Sequence, residues 1–192
     1  MKFQELEARI NKHMMLADSG VLKLLTSFLV ASKLPVSPPW PFLVGASSGG
    51  KSMLLSAIED VTGVYPLDDL TSNTFVSGMK GANGEDVSLI MKLLPNSTIT
   101  FKDFTTILSK DKESRGIVVG QMRKIYDGDF RKTYGNGMDV KWKGKISVLA
   151  GVTSKVFTTM QQFGDMGERF VQYIFTQPPR DRLAMLATEN LD

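Results

Sequence analysis

Hydrophobic residues recur at two different periods along this chain. Phe3, Leu6, Ile10 and Met14 are spaced three or four apart, and Val21, Leu24, Leu25 and Phe28 repeat the pattern. That spacing lines one face of a helix. Asp18-Ser19-Gly20 interrupts the stripe, with Ser19 placed to cap the second segment. Residues 1–34 are therefore predicted as an N-terminal helical segment of two helices. The plainer expectation is that they only cover a core. Next, LPVSPPWP holds four of the eight prolines, and proline neither continues a helix nor donates into a sheet. It reads as a connector.

From Phe42 the pattern alternates between short apolar runs and helical stripes. FLVG, GVYPL, STITFKDF, KISVLAGV and RFVQYIF read as five strands. Between them, Lys51 to Val61, Asp86 to Leu94 and Lys112 to Tyr126 read as helices, and Arg180 to Leu191 as a closing one. In the first of these, Met53, Leu54, Ala57, Ile58 and Val61 are expected to face inward. Strand–helix alternation implies parallel strands joined by crossovers. The expected fold is a three-layer α/β P-loop domain over residues 40–192, with a mostly parallel five-stranded core sheet in the order 5-1-4-3-2. DFRKTYGNGMDVKWKG places two short segments around Tyr-Gly-Asn-Gly, a β-hairpin inserted at about 128–145.

Composition narrows the classes. At 192 residues the chain fits one domain. The absence of cysteine excludes a disulfide framework, a cysteine zinc site and a thiol nucleophile. The first thirty residues lack the layout of a signal peptide, and no apolar run reaches the roughly 18 to 20 residues that span a membrane. A cytoplasmic protein with no membrane association is expected. The net charge of +3 is too small to argue for a partner, so its distribution matters more.

The strongest chemical signal is Gly45-Ala46-Ser47-Ser48-Gly49-Gly50-Lys51-Ser52, which fits G-x-x-x-x-G-K-[ST]. A loop binds phosphate by aiming backbone N–H groups at its oxygens, and glycines let the backbone come close. Lys51 would reach the β- and γ-phosphates of ATP, and the Ser52 hydroxyl would hold Mg²⁺. The residues through Met53 form the expected nucleotide contact. By chance the motif arises in roughly one chain of this length per hundred. A strand before and a helix after supply the context that it requires.

Such an enzyme also needs a carboxylate at a nearby strand end to hold the magnesium. Asp103, closing TITFKD, is placed for it. Many hydrolysing proteins of this class carry a glutamate directly after that aspartate, and here the next residue is Phe104. Thr105 and Thr106 would orient a water but are poor bases. Asp68, Asp69 and Glu85 are the available carboxylates, with Asp68 preferred because its strand end faces the same crevice. Thr153, after VLAGV, reads either as a γ-phosphate contact or as a helix cap. Arg169 reads either as an arginine finger, in cis or toward a neighbouring subunit, or as a surface ion pair. His13 stands alone and is assigned no role.

Between Gln121 and Lys145, seven cations face three carboxylates, so this segment holds more than the whole chain's surplus of positive charge. Arg131, Lys132, Lys141 and Lys143 are interleaved with Phe130, Tyr134 and Trp142. Cations with aromatics suit single-stranded nucleic acid, through phosphate pairing and base stacking. The competing expectation is a solvated hairpin whose aromatics pack on the core.

Taken together, VGASSGGKS, VYPLDDLTSNTFVSGMKGANGED, FKDFTTILS, QMRKIYDGDFRKTYGNG, LAGVT and GERF resemble the P-loop ATPases carried by bacteriophages, prophages and integrative elements. These are relatives of the AAA+ and recombinase-helicase branch, and the resemblance covers about residues 40–175. It implies an ATPase serving DNA replication or recombination of a mobile element in a bacterial host cell. The complete phosphate loop, the missing adjacent glutamate and an arginine able to act in trans predict a homo-oligomer that hydrolyses ATP slowly alone and faster on assembling or on DNA, with replication or recombination proteins as further expected partners. The resemblance maps Gly45, Gly50, Lys51 and Ser52 onto the phosphate loop, Asp103 onto the magnesium aspartate, and Arg169 onto the arginine of GERF. The departure is length: AAA+ proteins normally continue into a helical lid, and this sequence runs only a short way past the fifth strand, which fits a missing lid, a partner in its place, or a fragment of a longer chain. A nucleotide-gated adaptor such as a helicase loader, and a small-molecule kinase, are the alternatives in function.

Overall fold

The computed structural model describes residues 2–84, 88–161 and 169–176. In chain order its elements are α1 (Phe3–Asn11), α2 (Gly20–Ala31), β1 (Pro41–Val44), α3 (Lys51–Ser56), β2 (Val64–Pro66), α4 (Leu89–Lys92) and β3 (Ser97–Phe101). They continue with α5 (Thr105–Leu108), α6 (Lys112–Asp127), β4 (Asp129–Thr133), β5 (Asp139–Lys143), β6 (Ile146–Val152), α7 (Lys155–Gln161) and β7 (Val171–Ile174).

Five strands form one sheet in the order β2-β3-β6-β1-β7, and every neighbouring pair is parallel. Counted from the other edge without the hairpin, that is 5-1-4-3-2. Strands β1, β3 and β6 are buried along their whole length, as strands covered on both faces must be. Their side chains divide by parity between two cores. Phe42, Val44, Ile99, Phe101, Val148, Ala150 and Val152 face α5, α6 and the hairpin. Leu43 and Leu149 face α2 and α3, against Val21, Leu22, Leu25, Leu54 and Leu55. The molecule is thus a three-layer α/β structure. Helix α2, from before the proline connector, shares a core with α3 from after it.

Helix α6 is the long crossover from β3 back toward β6. Asp111 caps it by accepting the Ser114 N–H at 2.9 Å, and Gly128 ends it in the left-handed region. The chain then enters β4 and β5, which pair antiparallel as a separate two-stranded sheet. The strand starts are held together by Trp40, whose Nε1 donates to the Ile146 carbonyl at 2.8 Å and whose ring meets Tyr126 and Phe170.

Several expected elements differ. Helix α3 ends at Ser56, not Val61, because tighter i→i+3 bonds follow from Ile58 to Leu55 and from Glu59 to Ser56. Met53, Ala57 and Val61 consequently face outward. Helix α4 is confined to Leu89–Lys92, and residues 85–87 at the expected start lie outside the described residues. So does the expected closing helix over 180–191. Short helix α7 follows the end of β6, where the helix-cap reading of Thr153 implied one, and α5 follows the end of β3, where no element was named.

Phe104 anchors the first core. It is 1% exposed and packs against Phe42, Phe101 and Phe170, with Phe42 and Phe170 stacked at 3.9 Å. Phe104→Ala should lower the unfolding free energy by about 3–5 kcal/mol through the cavity it leaves. Phe104→Glu should be worse, because it would bury an unpaired carboxylate there. The urea midpoint, at unchanged slope, measures both.

Candidate functional site

Parallel strands in register bring their C-terminal ends to one edge of the sheet. Val44 of β1 pairs with Val152 of β6, and Phe101 of β3 with Ala150 of β6. The chain leaves β1 through Gly45, whose N–H donates to the Val152 carbonyl at 3.1 Å. Residues 46–50 then loop over the sheet edge, and α3 begins at Lys51. Ser48 has φ 59° and Gly50 has φ 82°, so the loop turns through left-handed backbone twice. Gly50 serves here through its conformation, and the Met14 methyl group lies close enough that a Cβ on it would displace that flexible end.

Lys51 folds back under the loop. Its residue surface is only 7% exposed, and its Nζ donates to the carbonyls of Gly45 at 3.0 Å and Ala46 at 2.6 Å. Burial holds its ammonium below the usual lysine range, and the negative charge of Asp103 acts in the opposite direction. The two side chains therefore lie within electrostatic reach, although 52 positions separate them in the sequence.

Asp103 is joined to the neighbouring strand end. Its Oδ1 accepts the Thr105 N–H at 2.9 Å, and Thr105 Oγ1 accepts the Thr153 N–H at 3.1 Å. Thr106 Oγ1 donates to the Asp103 carbonyl at 3.0 Å. A close approach makes this possible, since a Cβ on Gly151 would lie 2.6 Å from the Lys102 carbonyl oxygen. The Thr153 hydroxyl oxygen is buried and has no hydrogen-bond partner among the described residues. A buried hydroxyl without a partner, beside a loop of this kind, is a place where an external group is expected.

Lys51, Asp103 and Thr153 are thus gathered with the Gly45–Ser52 loop at one edge of the sheet. Ser52 and Met53 are exposed at the start of α3. Asp68 lies beyond the end of β2, exposed and on the same edge, while its neighbour Asp69 is paired with Lys110 at 2.9 Å. The donor set suits a polyphosphate with a divalent cation. It offers an ammonium, a glycine-rich backbone loop, the Ser52 hydroxyl and the Asp103 carboxylate.

Arg169 is not brought there. It precedes β7, whose Val171 pairs with Pro41 at the start of β1. The length of β1, about 13 Å, separates that end from the loop. Arg169 instead meets Asp127 at 3.4 Å and lies over the Tyr126 ring at 5.3 Å. A finger acting in cis does not fit this placement. Asp165 and Glu168, the carboxylates near it in sequence, lie outside the described residues.

The hairpin stands at the same end as Arg169. Alternation divides its residues: Phe130, Val140 and Trp142 turn inward, whereas Arg131, Lys141 and Lys143 are exposed. Phe130 is buried and Trp142 packs half-buried against the first core. Lys132 lies over the Tyr134 ring at 4.6 Å, and Tyr134 donates its hydroxyl to the Val76 carbonyl at 2.6 Å. Of the exposed cations, Arg131 pairs with Asp129 at 3.1 Å and Lys141 with Asp139 at 3.7 Å. The aromatics therefore serve packing, and the cations form a partly neutralised outer face.

The burial of Phe104 and the role of Met14 over the loop were invisible in the linear pattern. The hydrophobicity of Phe104 was the one available signal. No protein-family model matches the sequence, and no curated protein matches it.

The lowered Lys51 pKa has a measurable consequence without any ligand. In the interval below 10.5 the unfolded chain binds more protons at this lysine than the native state does. Native stability therefore rises with pH across that interval. Lys51→Met removes this titration. Urea unfolding at about pH 8 and about pH 10 should show wild type gaining on Lys51→Met at the higher pH. A difference that is the same at both would contradict the burial argument.

Proposed function

We propose that this protein is a P-loop NTPase that binds ATP with Mg²⁺ and couples it to DNA transactions of a mobile element. The observation that carries the proposal is the convergence of three separate strand ends on one loop. A buried Lys51, the Asp103 carboxylate that acts on it, and the unpartnered Thr153 hydroxyl meet where the motif places phosphate. Lys51 would exchange its two carbonyl contacts for phosphate oxygens. Ser52 and Asp103 would hold the metal, which supplies charge neutralisation on the phosphates.

The weak point of catalysis is the attacking water. Phe104 points into the core, so the position after Asp103 is closed to a carboxylate base. Asp68, Thr105 and Thr153 are the groups left on the edge, and Asp68 is the only base among those three. Hydrolysis is accordingly slow in isolation and rises on assembly or on DNA. Arg169, placed away from its own loop, is suited to act on a neighbouring subunit. The same observations favour a second function, a nucleotide-gated adaptor such as a helicase loader, in which ATP only switches partner contacts.

ATP turnover is expected to rise with protein concentration and with single-stranded DNA, and to fall to background in Lys51→Ala. Persistence of turnover in Lys51→Ala would sink the mechanism. Turnover that stays near zero with DNA and partner proteins present would favour the adaptor.

For nucleic acid, the outer face of the hairpin offers phosphate contacts from Arg131, Lys141 and Lys143, while Trp142 is committed to packing. Replacing Lys141 and Lys143 by alanine should weaken single-strand binding and flatten its log–log salt slope by about 0.7 per lysine. Unchanged binding would mean that the hairpin is only a packed structural element.

A further inference from the structure

A groove of about 380 Å³ runs between α1 and α3. Ile10 and Met14 line one wall, and Met53 and Ala57 the other. Its polar side chains are Arg9 and His13, both exposed. Its volume lies within the roughly 300–1000 Å³ of small-ligand sites.

One contact and one sequence adjacency join this groove to the phosphate loop. Met14 lines the groove, and its methyl group lies against Gly50. Met53 lines the opposite wall and directly follows Ser52. It is 55% exposed, with no core to fill. A ligand with an anionic end in the loop and a flat apolar end would therefore meet one continuous surface. We propose that the groove receives the base of a nucleotide whose phosphates occupy the Gly45–Ser52 loop, and that it accepts adenine and guanine alike. This rests on the P-loop reading above and extends it to the base.

The breadth follows from the lining. Thioether side chains adapt to different flat shapes. Strong discrimination needs dedicated hydrogen-bonding groups that a wrong ligand leaves unpaired. The hydrogen-bonding side chains of the lining are Arg9 and His13, both on the exposed rim; a neutral imidazole offers a donor on one nitrogen and an acceptor on the other. It can meet the amino group of adenine or the carbonyl of guanine.

Calorimetric titration of the full chain with ATP, GTP and inorganic tripolyphosphate, each with Mg²⁺, tests this. ATP and GTP should bind within about threefold of each other, and both about tenfold or more tighter than tripolyphosphate. Ala57→Trp, at an exposed position, should fill the groove and bring both nucleotides to the level of tripolyphosphate, whose own affinity stays unchanged. Met53→Ala, also at an exposed position, should weaken both nucleotides several-fold in the same manner. A preference for ATP over GTP of about tenfold or more overturns the broad base acceptance. Nucleotide affinities unchanged in both variants overturn the groove as the base site and leave the phosphate loop standing. If neither nucleotides nor tripolyphosphate bind wild type, the P-loop reading fails and the groove proposal with it.

Discussion

The parallel pairing of β6 with both β1 and β3 is the constraint on which the candidate site depends. It fixes three strand ends at one edge and sets their register to the residue. Gly45 leaves the sheet on a bond to Val152, and Asp103 lies beside it because Gly151 allows the end of β3 to come within van der Waals limits. The loop, the carboxylate and the threonine are far apart in the chain. They become neighbours only because buried, regular strands leave no freedom in register.

That rigidity has a chemical consequence. Past β3 the chain leaves the strand and Phe104 turns into αR backbone at the cap of α5, so Asp103 and Phe104 point to different sides. Asp103 takes the solvent side and bonds to Thr105, while Phe104 closes the aromatic cluster with Phe42, Phe101 and Phe170. Position 104 is thereby committed to holding the first core together. Under the proposed ATPase reading, that is the position where a water-activating carboxylate would stand, and packing holds it instead.

The hairpin shows a similar division at the other end of the sheet. Its cations and aromatics are mixed in sequence, but period-two alternation sorts them onto opposite faces. Inward residues extend the core, and outward ones form an alternating field of Arg131, Lys141 and Lys143 with Asp129 and Asp139. Arg169 shares this end through Tyr126 and Asp127. The Gly45–Ser52 loop thus sits at one end of the five-stranded sheet, and the base of the separate two-stranded sheet that carries the cations at the other.

By itself the sequence determined the elements whose signal is local. The apolar runs of β1, β3 and β6, the helical stripe of α6 and the Tyr-Gly-Asn-Gly hairpin were all legible, because a short apolar run or a repeated spacing encodes them directly. So was the Gly45–Ser52 motif, since its glycines and lysine are contiguous. The early end of α3 was not, because it depends on how the chain turns toward β2. The direction of Phe104, the distance of Arg169 from the loop, the inward commitment of Trp142 and the lodging of Met14 over Gly50 were decided only in three dimensions. Each is a question of which neighbour a side chain meets across the fold, and residue type alone does not carry that.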